Sequence, residues 1–97
     1  MLESILVATI LRRLRALPQS HFFKLHGDAH LAGYPDLIGV LAGRTVALEV
    51  KLPGRDATPL QAAVLRRLAA AGALTGVVHS WEETEIVLGE GGYDVHS

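Results

Sequence analysis

The sequence contains no cysteine among its 97 residues, which excludes disulfide bonds, thiolate zinc sites and cysteine nucleophiles. It has only two Phe, two Tyr and one Trp, too few for a base-stacking platform. The five histidines are spaced unlike any structural zinc site, so no zinc is expected. Charged residues or glycine interrupt every apolar stretch well before the ~18 residues that a membrane helix needs. The function must therefore be carried by a few polar side chains.

The composition is that of one folded domain, which we expect to span residues 1–97. Apolar residues make up 49% and charged residues 20% of the chain, a balance that supports a packed core. At the N-terminus, Glu3 precedes the apolar stretch and Arg12 and Arg13 follow it, which is the reverse of the charge order in a signal peptide. We expect a soluble cytoplasmic protein with no membrane partner.

The net charge of −1 conceals an uneven distribution of charge along the chain. The last sixteen residues hold five acids and no Lys or Arg, which leaves nine bases against five acids in residues 1–81. The body of the domain is thus basic and the segment 82–97 is an acidic tail. A basic body is compatible with a nucleic-acid partner, although an ordinary solvated surface would give the same count.

The hydrophobic periodicity predicts an α/β domain. Apolar residues recur at three- and four-residue steps near the N-terminus, and runs rich in β-branched residues follow. Thr58, Pro59 and Gln61 form the expected start of a second helix, with an N-cap, a proline at the first position and a glutamine three residues after the cap. The segment 26–33 is expected to be a loop. The predicted helices are 2–17 and 59–72, and the predicted strands are 21–25, 36–41, 45–52, 76–80 and 85–88, with a turn or short helical piece at 81–84.

Glu3 takes an unusual direction on the first predicted helix. At 100° per residue, the apolar side chains fall in an arc whose middle is close to the direction of Glu3, so its carboxylate is expected on the buried face. Such a placement is costly unless a partner is present. The alternative is an acid favoured by the helix dipole in a frayed first turn.

The predicted hairpin brings two carboxylates and an ammonium group together. Glu49 and Lys51 lie two residues apart on one predicted strand, so their side chains share a face, and Asp36 is the first residue of the partner strand. Hard divalent ions such as Mg²⁺ prefer oxygen ligands of this kind. A surface ion pair between Glu49 and Lys51 and a simple turn at Asp36 would be the alternative. The apolar surroundings of all three residues favour a metal site with a catalytic cation.

At these residues the sequence resembles the PD-(D/E)xK nuclease superfamily and, more closely, its VRR-NUC branch of virus-type replication-repair nucleases. The resemblance extends from Glu3 to about Glu83, which is nearly the whole chain. Its joint pattern of residues and intervals is more specific than any one motif. The matching segments are GYPDLI at 33–38, LEVK at 48–51, Gln61, Gly72 and VHS at 78–80.

The resemblance implies a restriction-endonuclease-like core with the order α-β-β-β-α-β and a central mixed sheet flanked by helices. By the same resemblance, Asp36, Glu49 and the main-chain carbonyl of Val50 would hold Mg²⁺ or Mn²⁺, and Glu3 would join through a water. Lys51 would orient or help to deprotonate the attacking water. Gln61 would position Lys51 or a phosphate, although its role as a capping residue is an equally good explanation.

The implied activity is metal-dependent DNA endonuclease cleavage. Small stand-alone relatives resemble Holliday-junction resolvases that act as homodimers, so branched DNA is the expected partner and a homodimer the expected state. Cleavage of flaps or other DNA structures is one alternative, and a non-catalytic DNA-binding module is another. Lys24 and His26 precede the Pro-Asp motif and Arg55 follows Lys51, so these three are candidate phosphate contacts.

Overall fold

A four-stranded mixed sheet organises the fold in a computed structural model, which describes residues 1–26 and 31–96. The elements are α1 (Glu3–Arg15), β1 (Ser20–Lys24), β2 (Leu37–Leu41), β3 (Arg44–Val50), α2 (Pro59–Ala70), β4 (Leu74–Val78) and α3 (Trp81–Glu90). The strand order in the sheet is β1-β2-β3-β4, in which β1 and β3 run antiparallel to β2, and β4 runs parallel to β3. The predicted α/β class and mixed sheet are confirmed.

Strand β3 lies at the centre of the packing. Every residue from Val46 to Val50 is buried, because α1 and α3 cover one face of the sheet and α2 packs on β3 and β4 from the other. A strand that is covered on both faces has no solvent-facing positions, so polar residues on it need a specific reason. Glu49 is the buried acid on this strand.

The apolar side chains of helix α1 face the core as predicted, but the first turn of the helix is exposed. Leu6, Ile10 and Leu14 are buried in the core, at the four-residue spacing of one helix face. Ile5, which the sequence placed on this face, is 53% exposed. Glu3 is also exposed, because the first turn extends past the edge of the core. The expectation that Glu3 is buried is therefore wrong, although its direction is right.

The connection between β2 and β3 is a two-residue hairpin turn. Leu41 pairs with Arg44, and both intervening residues have positive φ, 49° for Ala42 and 84° for Gly43. This is the geometry of a type I′ turn, whose twist matches that of the flanking strands. The turn fixes the register of the two strands on which the candidate site depends.

The segment after β4 is a helix, and the predicted strand at 85–88 is wrong. The Ser80 hydroxyl accepts a hydrogen bond from the Glu83 N–H at 3.1 Å and caps the helix. Thr84 and Leu88, four residues apart, are both fully buried, and Gly91 ends the helix. The β-branched residues at 86–87 suggested a strand, but the cap and the four-residue spacing of buried side chains outweigh them. The acidic tail thus begins with a packed helix.

The other boundaries shift by small amounts. Strand β4 begins two residues earlier than predicted, because Leu74 already pairs with Val46. The predicted loop 26–33 is described only at residues 26 and 31–33, since 27–30 lie outside the described residues. Within the described segments, no helix is long and apolar enough to cross a membrane.

Candidate active site

Two carboxylates meet at the end of the sheet where β2 begins and β3 ends. Leu37 pairs with Leu48, so Asp36 and Glu49 occupy the next position along the same antiparallel ladder. Residues directly opposite each other on such a ladder carry their side chains on the same face. The Leu25 N–H donates to the Asp36 carbonyl at 2.8 Å, which extends the three-stranded pairing to this position. Two like charges placed in this way repel each other unless a cation or a proton lies between them.

The approach to Asp36 depends on Gly33. Its φ is +80°, a conformation that side chains disfavour, and a β-carbon there would lie 2.5 Å from Cγ of Leu60. The chain then passes Pro35, which is buried, directly into Asp36. Leu60, at the start of α2, therefore packs on the glycine of the GYPD segment and helps to fix Asp36 directly before β2.

Glu3 completes a cluster of three acids. One carboxylate oxygen from each of Glu3, Asp36 and Glu49 lies within 4.8 Å of the others. The burial is graded, since Glu3 is exposed, Asp36 is half-buried and Glu49 is 2% exposed. The first turn of α1 thus reaches the site even though it lies outside the core. The sequence prediction that Glu3 joins Asp36 and Glu49 agrees with this arrangement.

Glu49 is the buried acid of the cluster, and its hydrogen bonding is incomplete. Its Oε2 atom is buried and has no hydrogen-bond partner among the described residues. Burial, followed by the hydrogen bond and charge of Asp36, raises the pKa of Glu49 to about 8, although Lys51 opposes this shift. An ionised oxygen without a partner in the interior is costly. A divalent cation would supply the missing partner, so the donor set fits a metal ion.

Asp36 is held by the backbone of β3. Its Oδ2 atom accepts a hydrogen bond from the Val50 N–H at 2.8 Å. This contact fixes one carboxylate oxygen and leaves the carboxylate oriented towards Glu49. The sequence assigned Val50 a role through its carbonyl, whereas its N–H makes the contact with Asp36. The role of the carbonyl as a metal ligand stays a prediction.

Lys51 lies beside the cluster on the same strand as Glu49. Its Nζ atom is 4.0 Å from Glu49 Oε1, and its side chain is 15% exposed. The Lys51 N–H donates to the Val78 carbonyl at 3.0 Å, so the neighbouring strand fixes its backbone. Partial burial restricts the long side chain, and it strengthens the electrostatic interactions of the ammonium group by excluding water. The ammonium group is therefore held next to the acids, as the E-x-K spacing predicts.

Gln61 forms the predicted capping box at the start of α2. Its Oε1 accepts from the Thr58 N–H at 2.9 Å, and its own N–H donates to Thr58 Oγ1 at 3.2 Å. The amide oxygen is thus used by the helix cap, and a further role of Gln61 towards Lys51 or a phosphate stays a prediction. Lys24 and His26 flank Leu25, which bonds to Asp36, and Arg55 lies in the loop after Lys51; all three side chains are exposed.

A second polar network lies beside the site, and the sequence analysis missed it. The imidazole of His79 contacts Glu83 on α3 and the carbonyl of Arg55 in the loop after Lys51. The available signal was the four-residue spacing of His79 and Glu83 across a helix N-cap. The contact with Arg55 spans 24 residues, so no local pattern could have indicated it.

Comparison with solved structures identifies proteins with a similar fold. A structure named "VRR_NUC domain" superposes with a TM-score of 0.74 and 26% identity, over 90% of this chain and 94% of that chain. The chain has the VRR-NUC fold. A second structure, "VRR_NUC domain protein", superposes with a TM-score of 0.70 and 23% identity, over 92% of this chain and 86% of that chain. No family model and no curated protein matches the sequence. The VRR-NUC resemblance indicated by the motifs is confirmed at the level of structure.

Proposed function

We propose that this VRR-NUC domain is a metal-dependent DNA endonuclease that hydrolyses phosphodiester bonds. The observation that carries the proposal is the buried Glu49, whose unpartnered oxygen lies in a cluster with Asp36 and Glu3 and beside Lys51. A purely structural role would leave a buried acid without a partner in the centre of the sheet. The nuclease fold named in the similar structures supports the same conclusion.

The oxygen donors of the cluster suit Mg²⁺ or Mn²⁺. Asp36, Glu49 and the Val50 carbonyl would hold the ion directly, and Glu3 would contact it through a water, in keeping with the exposure of Glu3. Such an ion supplies Lewis-acid polarisation of a phosphate and lowers the pKa of a bound water. The hydrogen bond from the Val50 N–H would keep the Asp36 carboxylate oriented for this purpose.

The remaining chemistry belongs to the cations around the cluster. Lys51, held 4.0 Å from Glu49, would orient the attacking water or help to remove its proton. Lys24, His26 and Arg55 are exposed at the same end of the sheet and would contact DNA phosphates. Contacts of this type position the backbone without reading its sequence. We therefore propose recognition of DNA structure and not of DNA sequence.

The substrate that we favour is branched DNA, with a Holliday junction cut by a homodimer. The principal extents of the domain are 37 × 33 × 21 Å, which is small for one active site to reach two strands of a junction without rebinding. Two sites related by a two-fold axis would cut opposing strands in one complex, and such pairs are the commonest homo-oligomers. Flaps and other DNA structures are the alternative substrates.

An uncovered part of the sheet supports the homodimer. On the face that carries α2, the outer strands β1 and β2 present Phe23 and Val40, which are 44% and 45% exposed, together with His21 and Ile38. We call these four residues the open face. They carry no Asp, Glu, Lys or Arg, so the open face suits apposition to a second copy better than contact with DNA. The outer edge of β1 is less suitable, because the Arg15 side chain donates to the Phe22 carbonyl at 3.1 Å.

Cleavage assays with purified protein test the proposal. Labelled linear duplex, single strand, flap and four-way junction would be incubated with Mg²⁺, Mn²⁺ or a chelator. We expect metal-dependent cleavage that is fastest on the junction. Cleavage in chelator would overturn the metal dependence, and equal rates on all substrates would overturn the junction preference. DNA binding without cleavage under every condition would favour the non-catalytic module.

Light scattering with a face variant tests the homodimer separately. Val40→Lys places a charge on the open face and should convert a dimer into a monomer. Ile86→Lys is the matched control, since Ile86 is 62% exposed on α3, away from the open face. A wild-type protein that is monomeric at assay concentration would overturn the homodimer and leave the nuclease proposal intact.

A further inference from the structure

His79 contacts the loop that follows the candidate active-site residue Lys51. It follows β4 and precedes the N-cap of α3. Its Nδ1 lies 2.8 Å from Glu83 Oε1, and its Nε2 lies 2.7 Å from the carbonyl oxygen of Arg55. The His79 backbone N–H also donates to Glu83 Oε1 at 3.2 Å. The imidazole therefore joins the first turn of α3 to the loop that follows Lys51.

The two contacts require a proton on each ring nitrogen. A backbone carbonyl and an ionised carboxylate can only accept hydrogen bonds. A neutral imidazole has one N–H, so one of its short contacts would face an acceptor with a lone pair. Both contacts are satisfied together only by the imidazolium form.

The loop that His79 contacts is short and carries an exposed cation. The Arg55 N–H donates to the Leu52 carbonyl at 3.0 Å across a Pro-Gly turn, so the loop is compact in itself. Its attachment to the rest of the molecule includes the contact between the Arg55 carbonyl and His79. The side chain of Arg55 extends into solvent only four residues after Lys51.

We propose that His79 is a positioning residue: it fixes the loop 53–57 against the start of α3 and so holds Arg55 where it can contact a phosphate of the DNA. The inference rests on the proposed function, because the role of Arg55 presumes a DNA substrate. His79 acts through the loop and does not touch the reacting atoms.

The charges around His79 favour its protonated form. Glu83 on α3 and Asp56 in the loop both raise the pKa of His79, with the Glu83 hydrogen bond as the largest cause and the Arg55 carbonyl as the next. Arg13 on α1 and Glu82 on α3 line the adjoining groove and have opposite charges. Because the folded-state pKa is raised, the attachment is complete below the usual histidine pKa and is lost as the pH rises through the raised value.

The first test measures the loop itself and needs no DNA. Hydrogen exchange by NMR would be compared for the wild type, His79→Gln and His79→Arg. His79→Gln should reduce the protection of the Arg55 amide by about fivefold or more, whereas His79→Arg, which keeps several donors, should preserve it. The control is His96→Gln, since His96 pairs with Glu85 of α3 at 3.0 Å but lies outside the loop. Unchanged protection in His79→Gln would overturn the proposal.

The second test is a double-mutant cycle in junction cleavage, with KM and kcat measured separately. His79→Gln should raise KM by about five- to tenfold and leave kcat within about twofold, because a positioned phosphate contact is lost. The same substitution should add nothing to Arg55→Ala. In the wild type KM should rise with pH, and in His79→Arg it should not. An additive cycle, or an equal rise of KM with pH in His79→Arg, would overturn the role through Arg55.

The two tests fail in distinguishable ways. If no DNA is cut or bound by the wild type, the proposed function fails, and the exchange data still decide whether His79 holds the loop. If cleavage occurs but loop protection does not depend on His79, the nuclease proposal stands and the positioning role falls.

Discussion

The two ends of the central sheet hold their charged residues in opposite ways. At the hairpin end, where β2 turns into β3, Arg44 is exposed, and the last turns of α1 and α2 carry further exposed arginines. Cations at helix C-termini interact favourably with the helix dipole and keep their hydration. At the metal end, where β2 begins and β3 ends, Glu49 is 2% exposed and lies against Asp36. Here like charges are crowded and partly dehydrated.

This difference separates residues that stabilise the fold from residues that reduce its stability for a function. The arginines of the hairpin end are satisfied by solvent and by the backbone, so their arrangement needs no ligand. The acids of the metal end are satisfied only by a proton or by a cation. Structure therefore points to the metal end as the functional region, although the hairpin end and the helix C-termini hold more of the basic residues.

The largest expected effect is on catalysis at the metal end. Asp36→Ala, Glu49→Ala and Lys51→Ala should each reduce DNA cleavage by about 10³-fold or more. The proposed metal site has few protein ligands, and Lys51 is the proposed catalytic cation, so the loss of any of the three should disable the reaction. Arg44→Ala, at the hairpin end, is the matched control and should cut normally. Circular dichroism would show that all four variants fold. Full activity of any of the three site variants would contradict the assignment of the site.

The second effect compares two glycines with similar φ at the two ends. Gly33 has φ +80° and is crowded by Leu60, whereas Gly43 has φ +84° and open space around its α-carbon. Gly43→Ala should cost about 1–2 kcal/mol of unfolding free energy, from backbone strain alone. Gly33→Ala should cost about 1–3 kcal/mol more, because of overpacking. Denaturant unfolding measures both, and Leu60→Ala should recover part of the loss in Gly33→Ala. Equal costs would show that Leu60 does not constrain the GYPD segment.

The third effect is the pH dependence that Glu49 gives to stability. Because burial and Asp36 raise its pKa to about 8, the folded state binds a proton that the unfolded state has already released. In chelator, the melting temperature of the wild type should therefore fall as the pH rises from about 4.5 to about 8. Glu49→Gln should melt about 5 °C or more above the wild type at pH 8, which corresponds to about 1 kcal/mol.

Metal should reverse this dependence by replacing the proton. Mg²⁺ or Mn²⁺ should raise the melting temperature of the wild type more at pH 8 than at pH 6, and should have little effect on Glu49→Gln. A wild-type melting temperature that does not respond to either ion would contradict the candidate metal site.

The fourth effect concerns Glu3, which reaches the same cluster from an exposed position. Glu3→Gln should weaken Mn²⁺ binding by about three- to tenfold, as expected for a charge that acts through a water. Calorimetric titration measures the affinity, and melting in chelator should change little because Glu3 is exposed. Unchanged affinity would favour the alternative, in which Glu3 interacts only with the dipole of α1 and has no role in metal binding.

The smallest effect is a gain in stability at the hairpin end. Ala42 has φ 49°, a conformation that asparagine and glycine tolerate better than alanine. Ala42→Asn should stabilise the protein by about 0.5–1 kcal/mol and leave cleavage unchanged, since the turn lies at the opposite end of the sheet from Asp36. Denaturant unfolding at one pH, together with the cleavage assay, is sufficient to check both expectations.

Sequence patterns predicted the elements that depend on local sterics. The spacing of Leu6, Ile10 and Leu14 indicated α1, and the Thr58 cap indicated α2. The apolar runs on either side of residues 42–44 indicated the hairpin, although Arg44 already belongs to β3. The same local approach failed at 85–88, where the β-branched residues Ile86 and Val87 indicated a strand and the structure has a helix. Burial of Thr84 and Leu88 against the sheet decides in favour of the helix, and that contact lies outside any local window.

For the candidate site, the sequence determined which residue types are present and that Glu49 and Lys51 share a strand face, because strand alternation is a property of the backbone. The resemblance to VRR-NUC sequences likewise predicted the fold, because it rests on residues and intervals that span the hairpin and the following helix. Only the tertiary structure decided that Glu49 is buried with an unpartnered oxygen, that an exposed Glu3 still reaches it, and that His79 contacts the Arg55 carbonyl. These properties arise from contacts between residues far apart in the chain, and such contacts depend on strand order and helix packing that no local pattern specifies.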